Sequence, residues 1–177
     1  MSTLPKFRYH PDPIATGSVK PSDKECRSCE QARGYIYTAS VYAEETLDEE
    51  ICPWCIADGS AAENFLATFS DDISLLDAEI SDDIIEEVTM RTPGFESWQS
   101  EVWLTCCEDA CEFHGDATKK DLQALDEDAV EEMLEAWDWE MSDWKELVKN
   151  YQPKGDPAVY KFVCRHCGEA RYNMDCS

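Results

Sequence analysis

Ten cysteines in 177 residues are the groups of this chain best suited to chemistry. Four form two Cys-x-x-Cys pairs, Cys26/Cys29 and Cys52/Cys55, with 22 residues between the pairs. Zinc prefers four thiolates in a tetrahedron. A Cys-x-x-Cys turn brings two sulfurs to one side with backbone amides pointing at them. The spacer lies just beyond the common window of about 15–20 residues and is long enough for a hairpin. Cys26, Cys29, Cys52 and Cys55 are therefore assigned to one structural zinc. The competing reading is a redox dithiol at Cys52-Pro53-Trp54-Cys55. That chemistry places the motif between a strand and a helix N-terminus, which lowers the attacking thiol's pKa. Here Asp48, Glu49 and Glu50 precede the pair, and neighbouring carboxylates raise a thiol pKa.

Six more cysteines follow: Cys106, Cys107, Cys111, Cys164, Cys167 and Cys176. Cys164 and Cys167 are half of a second site. Cys107 and Cys111 sit four residues apart, about one helical turn, and are expected to share a face and complete it. Cys106 can replace either, His114 is a weaker ligand candidate, and Cys176 is expected to be free. The alternative for Cys106, Cys107 and Cys111 is burial as small hydrophobes. One zinc is thus expected and a second is possible. A catalytic zinc keeps an open position, usually beside His or carboxylate ligands. Only His10, His114 and His166 exist, with no Ser-His-Asp set or phosphate-binding loop. No enzyme activity is expected.

The elements that must position these sulfurs are short. Pro5, Pro11, Pro13 and Pro21 make the first 24 residues extended, an arm with Phe7, Tyr9 and Ile14 to bury. Tyr35–Tyr42 reads as a strand or hairpin arm, rich in aromatic and β-branched residues. Ser60 and Glu63 suggest a capping box at a short helix. Ser81 precedes a second helix over Asp82–Met90, stopped by Arg91-Thr92-Pro93-Gly94. Phe95, Trp98, Val102 and Trp103 fall at helical spacing and are expected to pack inward. Asp121 to Tyr151 carries an apolar stripe that includes Val130, Met133, Leu134, Trp137, Trp144 and Leu147. Thr118/Asp121, Asp126 and Ser142 are candidate caps, so this stretch is one helix or several. Val159–Val163 and Arg171–Met174 read as strands around the Cys164–Cys167 knuckle. The fold class is α+β: zinc-ribbon-like four-cysteine modules with short antiparallel strands, joined to an acidic helical region. One compact domain spans 1–177, with a ribbon-like module at 26–55, the helical region at 60–151 and a C-terminal strand and knuckle at 158–176.

Charge narrows the function. There are 39 acids against 15 bases, a net of −24. Residues 71–150 alone hold 25 acids and 5 bases, whereas 151–177 hold 3 and 4. Such a chain repels nucleic acid and anionic membranes and attracts cationic partners. The N-terminus shows no leader and no stretch suits a membrane span, so the chain is expected in the cytoplasm, where thiols stay reduced.

The stretches FRYHPDPIATGSV, QARGYIYTASVY, ICPWCIADGSAA, RTPGFESWQSEVWLTCCEDACEF and FVCRHCGEARYNMDC together resemble the CbrC family of bacterial proteins. That family is named for a member linked to tolerance of colicin E2, a nuclease bacteriocin. Its cysteine motifs fall here on Cys26, Cys29, Cys52, Cys55, Cys107, Cys111, Cys164 and Cys167. The resemblance implies a toxin-tolerance theme, without a reaction. Joined to the charge, it gives the leading expectation: a cytoplasmic immunity protein that binds a basic nuclease toxin domain. Asp126, Glu127, Asp128, Glu131, Glu132, Glu135 and Asp138 are the candidate contacts. The alternative is a zinc-ribbon regulator or adaptor that confers tolerance indirectly, and a Cys-x-x-Cys redox enzyme ranks below both.

Overall fold

The computed structural model describes residues 3–177. Its elements are short because turn-forming residues interrupt the chain often. The N-terminal arm runs extended to one helical turn, α1 (Pro13–Thr16), capped by the Asp12 carboxylate on the Ala15 amide. Pro13 suits the first helical position because its missing N–H has no partner there. The arm buries Phe7, Tyr9 and His10, while Ile14 stays largely exposed. β1 (Val19–Ser22) then pairs antiparallel with β2 (Gly34–Tyr37), in register Val19 to Tyr37. Pro21 is tolerated because a two-stranded sheet is all edge. A single bridge, Tyr42 to Thr68, extends this lobe.

Two helices follow the second Cys-x-x-Cys pair, α2 (Pro53–Ala57) and α3 (Ser60–Phe65). The expected Ser60 capping box is not formed. Gly59 is the N-cap, and Ser60 Oγ donates to Asp58 instead. α4 (Ile73–Asp77) and α5 (Asp82–Arg91) come next, α5 with Asp82 and Asp83 at its positive end. The segment after α5 is not helical. Phe95 and Trp103 are buried, but Trp98 is 62% exposed and Val102 faces outward. Their helical spacing is incidental: an irregular strap tucks in Phe95, Trp103 and the Glu101 carboxylate, which accepts from Tyr42 Oη, and leaves Trp98 and Val102 outside. Gly94 is obligatory here, since a Cβ would lie 1.8 Å from the Phe69 carbonyl oxygen.

A two-residue hairpin joins β3 (Thr105–Cys106) to β4 (Asp109–Ala110). The main sheet is antiparallel, ordered β5 (Glu112–Asp116), β6 (Ala158–Val163), β7 (Ala170–Asp175). The acidic stretch is inserted between β5 and β6 as three helices: α6 (Lys119–Gln123), α7 (Glu127–Trp137) and α8 (Met141–Asn150). The Thr118/Asp121 capping box and the Asp126 cap are both formed. The third start is Glu140 with Asp143, not Ser142.

Three apolar clusters hold these pieces. The first gathers Phe7, Tyr37, Ile51, Ile56 and Phe69 around Cys26, Cys52 and Cys55. The second stacks Phe95 on Phe113, centroids 4.0 Å apart, with Trp103, Tyr160 and Phe162 around them. The third packs Val130, Met133, Leu134, Trp144 and Leu147 between the helices and against Val159. Together these make an α+β molecule of helices and small antiparallel sheets.

Candidate metal centres

Two groups of four sulfurs stand out. Cys26, Cys29, Cys52 and Cys55 have their Sγ atoms within 4.8 Å of one another, and so do Cys106, Cys107, Cys164 and Cys167. Within the first group the Sγ separations include 3.7 Å for Cys26–Cys55, 3.6 Å for Cys52–Cys55 and 3.9 Å for Cys29–Cys52. In the second, Cys106 lies 3.7 Å from Cys107 and 3.7 Å from Cys167. A tetrahedron with metal–sulfur bonds near 2.3 Å has edges of about 3.8 Å. A disulfide would need about 2.05 Å. The sulfurs are thus spaced as ligands of a tetrahedral metal, and both groups could hold one.

The local backbone explains the first centre. Cys26–Cys29 is a tight turn closed by Glu30 N–H on the Cys26 carbonyl (2.7 Å) and Cys26 N–H on the Gln31 carbonyl (3.0 Å). Cys52 is the N-cap of α2, with Pro53 at its first position, so Cys55 falls one turn on and faces Cys52. The Cys52 amide donates to the Cys26 sulfur at 3.2 Å. The contact with the Cys52 side chain, and after it that amide bond, hold the Cys26 thiol down to about 4 against its burial, while burial pushes Cys55 up to about 11. Four sulfurs this close cannot all ionise alone; a dication among them reverses that balance. Two of the three carboxylates before Cys52 are occupied: Glu49 accepts from Lys20 and Lys24, and Glu50 pairs with Arg27, while Asp48 is exposed.

The second centre joins a knuckle to a hairpin tip. Cys164–Cys167 repeats the first knuckle: Gly168 N–H donates to the Cys164 carbonyl and Cys164 N–H to the Glu169 carbonyl. The residue after the second cysteine adopts positive φ in both knuckles, 53° at Glu30 and 77° at Gly168. The other two sulfurs are sequence neighbours. Cys107 and Glu108 have φ of 54° and 58°, as a type I′ turn requires of its two central residues. The turn throws the Cys107 side chain back toward Cys106.

Cys111 is outside this group, and Cys106 takes the place expected for it. The expectation assumed a helical turn from Cys107 to Cys111, but the chain there is a hairpin. Cys111 lies just past β4, fully buried, its amide on the Leu104 carbonyl and its carbonyl accepting from Trp103 Nε1 at 2.9 Å. Burial pushes its thiol up to about 12, as suits a small hydrophobe. Cys176 is exposed and unpaired with the clusters.

Asp109 is the residue that sequence reasoning missed. Its buried carboxylate accepts from Tyr9 Oη at 2.8 Å and bonds His166 Nε2 at 2.8 Å, with Arg165 at 3.5 Å. Arg165 and His166 are the two residues inside the knuckle. One carboxylate therefore ties the knuckle to the hairpin and to the N-terminal arm. Burial alone would raise its pKa; the bonds from Tyr9 and His166 and the Ala110 amide hold it below the usual carboxylate range. Such partners orient a metal's ligands from behind. His10, by contrast, is fully buried between the Pro93 carbonyl and Thr16 Oγ1, each at 2.7 Å. His114 pairs with Glu112 on the surface.

The seven acids expected to meet a partner are placed together. Asp126, Glu127, Asp128, Glu131, Glu132, Glu135 and Asp138 are all exposed along α7 and its two ends. Among the described residues none of them takes part in an ion pair. No helix is long and apolar enough to cross a membrane.

Comparison with known proteins places these features in context. The family model described as "Uncharacterised protein family (UPF0167)" matches residues 4–176. A UPF0167 protein of Pseudomonas aeruginosa is 50% identical over 173 residues, covering 97% of both chains. UPF0167 proteins of Mycobacterium bovis and Mycobacterium tuberculosis are each 45% identical over 167 residues, 93% of this chain and 89% of theirs. No solved structure matches. These matches overturn the CbrC assignment suggested by the quoted stretches, and the tolerance theme loses the support that assignment lent it.

Proposed function

The chain belongs to the UPF0167 family, and from its geometry we propose that it is a non-catalytic binding protein, stapled by two structural zinc ions, that presents an acidic helical surface to a basic protein partner. The observation that carries this reading is the row of seven exposed acids on α7 without cationic partners. A fold that keeps such a field unneutralised pays for it in self-repulsion, and the return is fast, salt-sensitive association with a cation-rich surface. Proteins that grip nucleic acid are basic around their sites. A nuclease domain of a bacterial toxin is the partner of this class we favour, which makes the protein an immunity protein; an adaptor acting on another basic protein is the alternative.

The metal is read as zinc from the donor set: four thiolates at tetrahedral spacing, in ribbon-like modules, with no ligand position left for substrate. A reducing compartment, the cytoplasm, keeps those thiolates available. A groove of about 710 Å³ between α8 and the loop that follows it offers an anchor point. It is lined by Trp139, Asp143, Glu146, Tyr151 and Asp156, a wall and rim suited to a lysine or arginine side chain.

The test is titration calorimetry of the zinc-loaded protein against a basic nuclease domain from a bacterial toxin, at several salt concentrations. Binding is expected to weaken steeply with salt. A variant with Glu131, Glu132 and Glu135 changed to Lys should lose roughly 100-fold or more in affinity. Binding indifferent to both salt and charge reversal would refute the acidic-surface reading, and absence of binding with intact zinc content would move the proposal to the adaptor.

A further inference from the structure

The two sulfur clusters differ in one respect that matters chemically. In the first, Cys26, Cys52 and Cys55 are buried within the Phe7–Ile51–Ile56 cluster and Cys29 is half-covered. In the second, Cys107 and Cys167 are exposed, Cys106 is half-buried and only Cys164 is covered. The same four-thiolate chemistry is thus shielded in one cluster and open to solvent in the other. Thiolates react with oxidants according to their access as well as their charge.

We propose that the second centre is an oxidation site for hydroperoxides, at which Cys167 and Cys106 form a disulfide and the metal is released while the first centre is kept. The inference rests on the two-metal reading above. Cys167 is the exposed thiolate that meets the oxidant, and Cys106 is the sulfur in reach of it, 3.7 Å away. Cys107 is as near to Cys106, also at 3.7 Å, but sequence neighbours have Cα atoms about 3.8 Å apart, short of the ~4.4–6.8 Å that disulfides span. Cys106 and Cys167 come from different elements, a strand and a knuckle, and are free of that restriction. Glu169, 4.0 Å from the Cys167 sulfur, is paired with the Arg171 guanidinium at 3.4 Å, so the anion beside the reacting pair has its own counter-cation.

The steps balance. The Cys167 thiolate attacks one peroxide oxygen, forming an S–O bond and breaking the O–O bond, and the departing oxygen takes a proton to leave as water or alcohol. The Cys106 thiolate then attacks the sulfenic sulfur, the S–S bond forms, and the hydroxide that leaves becomes water with a second proton. Two thiolates have lost two electrons and the hydroperoxide has gained them. With two of four ligands gone the site no longer holds its metal, and the knuckle and hairpin lose their staple.

The experiment uses the full-length, zinc-loaded Cys176→Ser protein, which removes the exposed thiol outside both clusters. Its zinc content is measured first and two equivalents are expected. Hydrogen peroxide is then added while an indicator follows free zinc, and peptide mapping identifies disulfides. The expected result is one equivalent released roughly tenfold faster than the other, with Cys106 joined to Cys167 and Cys26, Cys29, Cys52 and Cys55 still reduced. Reductant plus zinc should restore the second equivalent. Simultaneous release of both equivalents, retention of both, or release without a Cys106–Cys167 bond would each overturn the proposal. A protein that carries only one equivalent from the start refutes the two-metal reading instead; the peptide map then still decides whether Cys106 and Cys167 pair.

Discussion

At the scale of single residues, the chemistry is set by which polar groups are buried and what meets them. His10 is the clearest case. Burial lowers its pKa to about 4 from an ordinary value of 6.5. The Pro93 carbonyl accepts the Nδ1 proton, so neutral Nε2 accepts from Thr16 Oγ1. The unfolded chain takes up a proton near pH 6.5 and the folded chain does not until about pH 4. The stability this contributes is full above pH 6.5 and falls as pH drops through that window, by up to about 3 kcal/mol. Urea midpoints from pH 7.5 to 4.5 should therefore decline more shallowly in His10→Gln than in the parent. Parallel slopes would mean that His10 titrates in the folded protein. Neither this role nor that of Asp109 can be read from the chain, because each depends on partners about 80 to 100 positions away.

Elements in this protein are brief, and their ends decide where the sulfurs go. The two knuckles show how. Each needs positive φ at the residue after its second cysteine; Gly168 adopts it freely, while Glu30 adopts it against the clash of its own Cβ. Glu30→Gly is expected to stabilise the zinc-loaded protein by up to about 1 kcal/mol, less the greater freedom of glycine in the unfolded chain. Thermal melts with matched zinc content check it, and a lower melting temperature would contradict the argument. The helical stripe beyond residue 120 and its caps at Thr118 and Asp126 were legible, because period and capping chemistry are local. The Cys107–Cys111 spacing was misleading, because four residues make one turn of a helix but run apart along a hairpin arm, and the positive φ at Cys107 and Glu108 makes the hairpin. The strap from Phe95 to Trp103 misled for a similar reason: alternation between core and solvent in irregular chain can imitate helical spacing.

For the whole molecule, the governing quantity is a net charge of −24 on a 177-residue chain. The ion pairs cluster in the N-terminal lobe and around the knuckle at Arg165, and the helical insert keeps most of its acids unneutralised. Self-repulsion of that kind is screened over about 8–10 Å at physiological ionic strength. Stability against urea should accordingly rise between ~0.02 and ~0.3 M sodium chloride, an interval over which the Debye length shortens several-fold, with most of the gain in the α6–α8 insert. Amide exchange resolved by segment is the measurement. A uniform gain, or none, would show that the acidic field costs the fold little.

The sequence by itself determined the four cysteines of the first group and the Cys164/Cys167 half of the second, the separation of charge between the insert and the cysteine-bearing ends, and the class of fold. Those follow from composition and local period, which any conformation of the chain shares. Tertiary structure alone decided that Cys106 and not Cys111 joins Cys107, Cys164 and Cys167, that Asp109 binds the knuckle, and that one sulfur cluster is buried and the other open. These depend on how β5 and β6 pair across the 41 residues that separate them, and contacts made over such a distance leave no local pattern in the chain.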